Sequence, residues 1–269
     1  MVSLLYPPTA SAAEKQQLSG ESEAKVPTHS LKGLIVLSST ERLPGGRSAG
    51  FWLPEAAYPW RALLAGGWDF EFTSTRSGRP PAGGIDRSDP PQRMFLEDPV
   101  VQERLEHTRT PDLLTPEDYG IVFVAGGHGA IIDLPGDERL TAFLAAYWAS
   151  RETAVIAAVC HGVAALLDVP GPDGAPLVAG RRMTGFTRDE ERAVGLDQVV
   201  PYFLGDALTE RGALYEAGEP FRSHVVADGA LLTGQNPASA ADLARRAVEL
   251  ASGRPLPRHW LRRSAPVTR

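Results

Sequence analysis

Three stretches of this chain are apolar without a break: Leu34 to Leu37 (LIVL), Ile121 to Ala125 (IVFVA) and Ala154 to Val159 (AVIAAV). A strand with one face in water alternates apolar and polar residues, whereas a strand covered on both faces need not. Helical stretches lie between these runs. The clearest is DERLTAFLAAYWASRE, in which Leu140, Phe143, Leu144 and Tyr147 share one face. Buried strands alternating with helices predict an α/β architecture: a doubly wound, mostly parallel sheet with helices on both faces.

The remaining segments fill in that plan. WDFEFTS (Trp68 to Ser74) alternates like a further strand, and FWLPEAAYPWRALLAGGW reads as a helix with Pro54 in its first turn. Pro59 implies a kink or a late start there. Residues 77–98, crowded with Pro, Gly and Asp, read as one long loop, and PVVQERLEHTRT as a short helix. DGAPLVAGRRMTGFT predicts a small hairpin insertion with strands near Leu177 and Met183, followed by short helices in RDEERAVGL and VPYFLGDALTERG. SHVVADGALLTG is a hairpin turning at Asp228-Gly229, and NPASAADLARRAVELAS closes the fold as a helix with Pro237 near its start. Residues 1–30 form a polar extension expected to be poorly ordered, residues 31–252 a single domain, and residues 253–269 a basic tail on the surface.

Composition excludes several functions. With 27 basic against 33 acidic residues the chain lacks the positive excess of a nucleic-acid-binding surface. No apolar run reaches the roughly 18 residues of a membrane helix, and the N-terminus lacks the basic and apolar regions of a secretory signal. The single cysteine rules out an intrachain disulfide and a cysteine-based zinc site. A cytoplasmic location, where a free thiol stays reduced, is expected. No G-x-G-x-x-G follows the first strand, and no cofactor is expected.

In such sheets the loops at the carboxyl ends of the strands carry the chemistry. At Ala158-Val159-Cys160-His161-Gly162 the apolar strand turns into a helix with small residues two before and two after the thiol. That is the spacing of a nucleophile elbow. A helix N-terminus at this place favours the reactive thiolate. One strand earlier, the loop Gly126, Gly127, His128 and Gly129 can bring backbone N–H groups to a substrate oxygen. Glu55, after the first strand, lies at a carboxyl end too. A carboxyl beside a thiol in a partly apolar site would have a raised pKa and could stabilise the thiolate or shuttle protons.

Taken in chain order, AGFWLPEAAYP, AGGHGAIIDLP, AVCHGVAALL, MTGFTRDEE and LLTGQNPASA together resemble the ThiJ/PfpI superfamily, of flavodoxin-like, class I glutamine-amidotransferase-like fold. The likeness is to its heat-shock chaperone branch, which includes glutathione-independent glyoxalases (glyoxalase III), and it extends over roughly residues 33 to 251. The resemblance implies Cys160 as nucleophile, His161 as its partner and Glu55 as the protonatable group beside the thiol. It implies Glu191 as the acid that orients His161, with Glu190 and Asp189 as alternatives, and the N–H groups of Gly127 and His161 as oxyanion donors. The expected activity is conversion of methylglyoxal or a related small 2-oxoaldehyde to a hydroxy acid such as lactate, by a homodimer. A holdase chaperone, a protein deglycase, or an amidase or peptidase using the same thiol are the alternatives. Some larger relatives bind a metal through two histidines and a carboxylate. Here His107, His128 and Glu106 are the available pieces, and no metal is expected.

Overall fold

The computed structural model describes residues 32–150 and 154–261. The extension at residues 1–30 and the end of the basic tail, from residue 262, lie outside the described residues.

The central sheet has six strands. β1 (Lys32–Leu37) lies between β3 (Asp69–Ser74) and β5 (Ile121–Val124), β6 (Val155–Val159) pairs with β5, and β10 (Leu231–Gly234) with β6, all parallel. β9 (Val225–Asp228) closes the edge antiparallel to β10 through the turn at Asp228-Gly229. Alternate residues of the apolar strands feed two separate cores. Leu34, Val36, Val122, Val124, Ile156 and Ala158 join one. Ile35, Leu37, Ile121, Phe123, Val155, Ala157 and Val159 join the other. This is why none of these strands alternates in sequence.

After the single turn α4 (Ala130–Asp133), helix α5 (Glu138–Ala149) covers one face with Leu140, Phe143, Leu144 and Tyr147, and Asp137 caps its first amides. Helices α1 (Leu53–Gly66), α3 (Pro99–Glu106) and α8 (Ala240–Ser252) cover the other. The chain leaves β1 toward β3 and then returns past β1 to β5. The crevice between the carboxyl ends of β1 and β5 is therefore the topological switch point, where ligands bind in this architecture.

Several elements differ from the sequence expectation. Helix α1 runs from Leu53 through Pro59 without a late start; the ring removes one backbone donor, and burial of Ala56, Ala57, Trp60 and Leu63 holds the helix together. Residues 77–98 are not one loop. β4 (Ala82–Gly83) pairs with β2 (Phe51–Trp52), and α2 (Pro90–Glu97) starts on two prolines, where missing N–H groups cost nothing. The hairpin expected at Leu177 and Met183 does not form. β7 (Arg182–Met183) pairs in parallel with β8 (Leu214–Tyr215) instead, across helices α6 (Arg188–Val194) and α7 (Leu204–Glu210). A two-residue strand carries no periodicity that could have named its partner. Of the tail, residues 253–261 are described, and Leu256 and Trp260 pack into the core beside α8.

Candidate active site

Cys160 sits where β6 ends, with φ of 57°. That left-handed conformation costs an L-residue about 1–2 kcal/mol and turns the side chain out of the strand direction. The helix that follows, Cys160–Leu166, is a 3₁₀ rather than an α-helix. Gly162 makes the tight turn possible: a Cβ there would lie 2.6 Å from the Val124 carbonyl oxygen.

The turn brings two adjacent side chains together. Cys160 Sγ lies 3.3 Å from Nδ1 of His161, and Nε2 of His161 donates to Glu191 Oε1 at 2.5 Å. With its proton on Nε2, the imidazole offers Nδ1 to the thiol as an acceptor. Glu191 comes from α6, and it is used twice. Its other oxygen accepts from Nε2 of His128 at 3.1 Å, so one carboxylate bridges two imidazoles whose centroids are 4.2 Å apart. Burial alone would raise the Glu191 carboxyl, yet the hydrogen bonds from His128 and His161 bring it down to about 2. Burial pushes His161 below the usual imidazole value, against the pull of Glu191. The pair therefore rests as neutral imidazole beside carboxylate.

The three acids left open by the sequence separate cleanly. Glu190 is fully buried and points elsewhere, accepting from the backbone N–H of Thr187 and Phe221 and from Asn236 Nδ2. Asp189 is exposed beside Arg192. Successive helical residues point about 100° apart, so neighbours serve different surroundings.

Glu55, in the first turn of α1, faces the thiol from across the switch point and is fully buried. Neither of its oxygens has a hydrogen-bond partner of regular geometry. Burial pushes this carboxyl well up, and the nearby Cys160 thiol and Gly126 N–H offset this only partly. Burial also pushes the Cys160 thiol up, with the Glu55 charge adding to it, while the N–H groups of Gly127 and His161 pull it down. The two acids compete for one negative charge. The sequence pointed to a thiolate held by a helix end. In the fold, burial is the larger effect, and the thiolate requires a base and a neutral Glu55.

The GGHG loop divides its tasks. Gly127 has φ of 99°, and its N–H reaches the Cys160 sulfur, as does that of His161. Gly126 turns its N–H toward Glu55, and its carbonyl accepts from Trp52 at 2.9 Å. The Gly129 N–H is spent on Gly50, so it offers nothing to a ligand. His128 contributes its side chain, which the sequence did not place on Glu191. Phe186, which the sequence did not single out, packs against both rings, at 4.7 Å from His161 and 5.7 Å from His128. Its place in MTGFTRDEE, five residues before Glu191, is the signal that was available.

Metal-ligating chemistry also converges here, with His128 kept from the pieces the sequence offered and His161 and Glu191 in place of His107 and Glu106. Donor atoms of His128, His161 and Glu191 lie within 4.8 Å of one another and can hold a divalent cation by giving up their mutual hydrogen bonds. His107, by contrast, is exposed beside Glu103, and Glu106 pairs with Arg79. Among the described residues no helix is long and apolar enough to cross a membrane.

A thiol in a left-handed strand-to-helix turn, a glycine loop aimed at it and a carboxyl across the switch point define a class of α/β proteins that carry a cysteine at an elbow after a central strand. The chain belongs to the DJ-1/PfpI family, whose profile matches residues 48–250. It is 29% identical over 219 residues to the glutathione-independent glyoxalase HSP31 of Saccharomyces cerevisiae, covering 76% of this chain and 90% of the yeast protein. It is 28% identical over 228 residues to Glyoxalase 3 of Candida albicans, covering 78% and 94%. Among solved structures, Rapid Encystment Protein 24 KDa of Francisella tularensis matches with a TM-score of 0.78 at 29% identity, over 82% of this chain and 99% of that one. Glyoxalase III of Candida albicans matches with a TM-score of 0.75 at 25% identity, over 82% and 98%.

Proposed function

We propose that this protein is a glutathione-independent glyoxalase that converts methylglyoxal or a related 2-oxoaldehyde to a hydroxy acid, with Cys160 as nucleophile. The observation that carries the reading is the line Cys160–His161–Glu191 with the buried carboxyl of Glu55, pushed up by desolvation, beside the same sulfur. The names of the yeast and Candida relatives point the same way.

The chemistry follows from the geometry. Nδ1 of His161 takes the thiol proton as sulfur adds to the aldehyde carbon, and the N–H groups of Gly127 and His161 receive the developing oxyanion. Return of the proton gives a neutral hemithioacetal. A base then removes the hydrogen on that carbon while an acid protonates the neighbouring carbonyl oxygen, giving an enediol. His161, entering as neutral imidazole, and Glu55, entering as neutral acid, are the two groups beside the sulfur able to exchange those protons. Proton return to the adjacent carbon leaves a thioester, and water cleaves it to the hydroxy acid and the free thiol. Glu191 holds His161 in the tautomer this requires. A homodimer, from the family likeness, and a cytoplasmic location, where the free thiol stays reduced, belong to the same reading.

The test is methylglyoxal loss with lactate formation by the purified protein, without glutathione and with a chelator present, beside Cys160→Ser. Turnover that disappears in the variant supports the reading. Absence of turnover in the wild type, with the thiol shown to be reduced, overturns it. Suppression of client aggregation that survives in Cys160→Ser would then favour the holdase alternative.

A further inference from the structure

The loop between β8 and β9, mostly exposed, is clamped by four side chains. Glu190 Oε1 accepts from the Phe221 N–H at 2.7 Å, and Asn236 Nδ2 donates to the Arg222 carbonyl at 2.8 Å. Gln235 Oε1 accepts from the Gly218 N–H at 2.7 Å, and Ser239 Oγ accepts from the His224 N–H at 3.1 Å. All four clamping side chains are fully buried. Three of them come from the LLTGQNPASA motif, which the reaction itself does not use.

What the clamp holds is Phe221. Its φ is 56°, and besides Cys160 it is the only non-glycine residue with positive φ among the described residues. A phenylalanine persists there only where its surroundings over-determine it, and such strain concentrates at functional sites. The ring gains little burial in return, since it is 47% exposed. Yet it meets Phe186 at 6.3 Å, edge to face, and Phe186 in turn lies on His161. Two aromatic rings thus lead from the solvent to the base beside Cys160.

We infer that Phe221, with Phe186 behind it, is a specificity-determining wall that receives the substituent on the ketone carbon and favours an aryl group over a methyl. The inference rests on the reading of Cys160 as the nucleophile and names the substrate class of that site. A flat ring can stack on Phe221 and cover its exposed face, whereas a methyl group leaves most of that face in water. The clamp then has a purpose, because a wall selects only if it is held still.

Cys160 is the sole cysteine, so the wall can be read without turnover. Phenacyl chloride and chloroacetone differ only in phenyl against methyl. Each alkylates the thiol with loss of chloride and of the thiol proton. The rate ratio of the two reagents is measured for wild type, Phe221→Ala and Phe221→Gly, and normalised to a small free thiol. The expected result is a ratio roughly three- to tenfold lower in both variants, because phenacyl chloride slows more than chloroacetone. The glycine variant, which accepts the left-handed backbone, separates loss of the ring from loss of the loop. An unchanged ratio, or equal slowing of both reagents in Phe221→Gly, overturns the inference. Steady-state turnover of phenylglyoxal against methylglyoxal then reports separately on the proposed activity. Methylglyoxal turnover with an unaltered alkylation ratio leaves the activity standing and removes the wall.

Discussion

Glu190 and Glu191 are neighbours in α6, and their carboxylates face separate networks: Glu191 bridges His161 and His128, whereas Glu190 ties the backbone of Phe221 to Asn236. On the proposed reading, reactivity and substrate fit fall to adjacent acids on one short helix.

That separation predicts two distinct phenotypes. Glu191→Gln is expected to lower kcat about 10²- to 10⁴-fold with little change in KM, because His161 loses the acceptor that sets its tautomer. Glu190→Gln is expected to cost about 1–3 kcal/mol of stability, since an amide cannot accept from all the donors converging there. The Cys160 alkylation rate by chloroacetone should stay near wild type in that variant. Steady-state kinetics and denaturant unfolding check both; identical phenotypes would contradict the division of labour.

Activity should hold as pH falls to 6.5 and decline only below it. Burial places His161 below its ordinary value of 6.5, so the neutral base persists into mild acid. Measuring kcat/KM from pH 4.5 to 8 checks this. An acid limb centred above 6.5 would contradict the buried geometry.

Stability should also fall on acidification, in two stages. The folded pKa of His161 lies below the unfolded one, so from about 6.5 downward the unfolded chain takes up a proton that the folded chain refuses. Glu191 is depressed from 4.5 to about 2, and its contribution is lost as pH falls through that window. Each group contributes a slope of at most about 1.4 kcal/mol per pH unit. Glu191→Gln should flatten the lower window in urea unfolding measured across pH.

Glu55 has the opposite sign. Its folded pKa is raised above 4.5, so the folded state holds a proton that the unfolded chain has released, and its contribution to stability drops as pH rises from 4.5. Glu55→Gln should therefore gain stability relative to wild type over that range, by up to about 1.4 kcal/mol per pH unit until the folded pKa is passed. The same variant should turn over poorly, since it has lost the exchangeable proton. A variant both active and less stable than wild type at neutral pH would refute this account of the carboxyl.

Gly162→Ala tests the elbow. The added Cβ would meet backbone of β5 at 2.6 Å, and backbone cannot swing aside as a side chain can. A loss of about 1–3 kcal/mol is expected, with a larger fall in kcat than in KM as Cys160 is displaced. Thermal unfolding together with kinetics would show it.

What could be read from the chain was local. Uninterrupted runs such as IVFVA mark strands covered on both faces, because nothing polar interrupts their contact with either core. The elbow is equally local: Ala158, Cys160, His161 and Gly162 are consecutive or nearly so, and thiol and imidazole sit on adjacent residues. The helix start at Asp89-Pro90 was missed because proline in a first turn and proline in a loop look alike until the apolar face of that helix has something to cover.

What only the tertiary structure decided was partnership at a distance. Asp189, Glu190 and Glu191 are adjacent in sequence and successive helical residues point about 100° apart; in the fold only the Glu191 carboxylate reaches His161. His128 joins that carboxylate because β5 and β6 lie side by side. The burial of Cys160 and Glu55 reverses the simple expectation of a thiolate at a helix end, since desolvation depends on everything packed around a group. Phe221 stands in a strained turn against Phe186 because Glu190, Gln235, Asn236 and Ser239, distant from it along the chain, converge under its loop. Short-range sequence carries backbone preference, whereas charge state and contact depend on neighbours that only folding supplies.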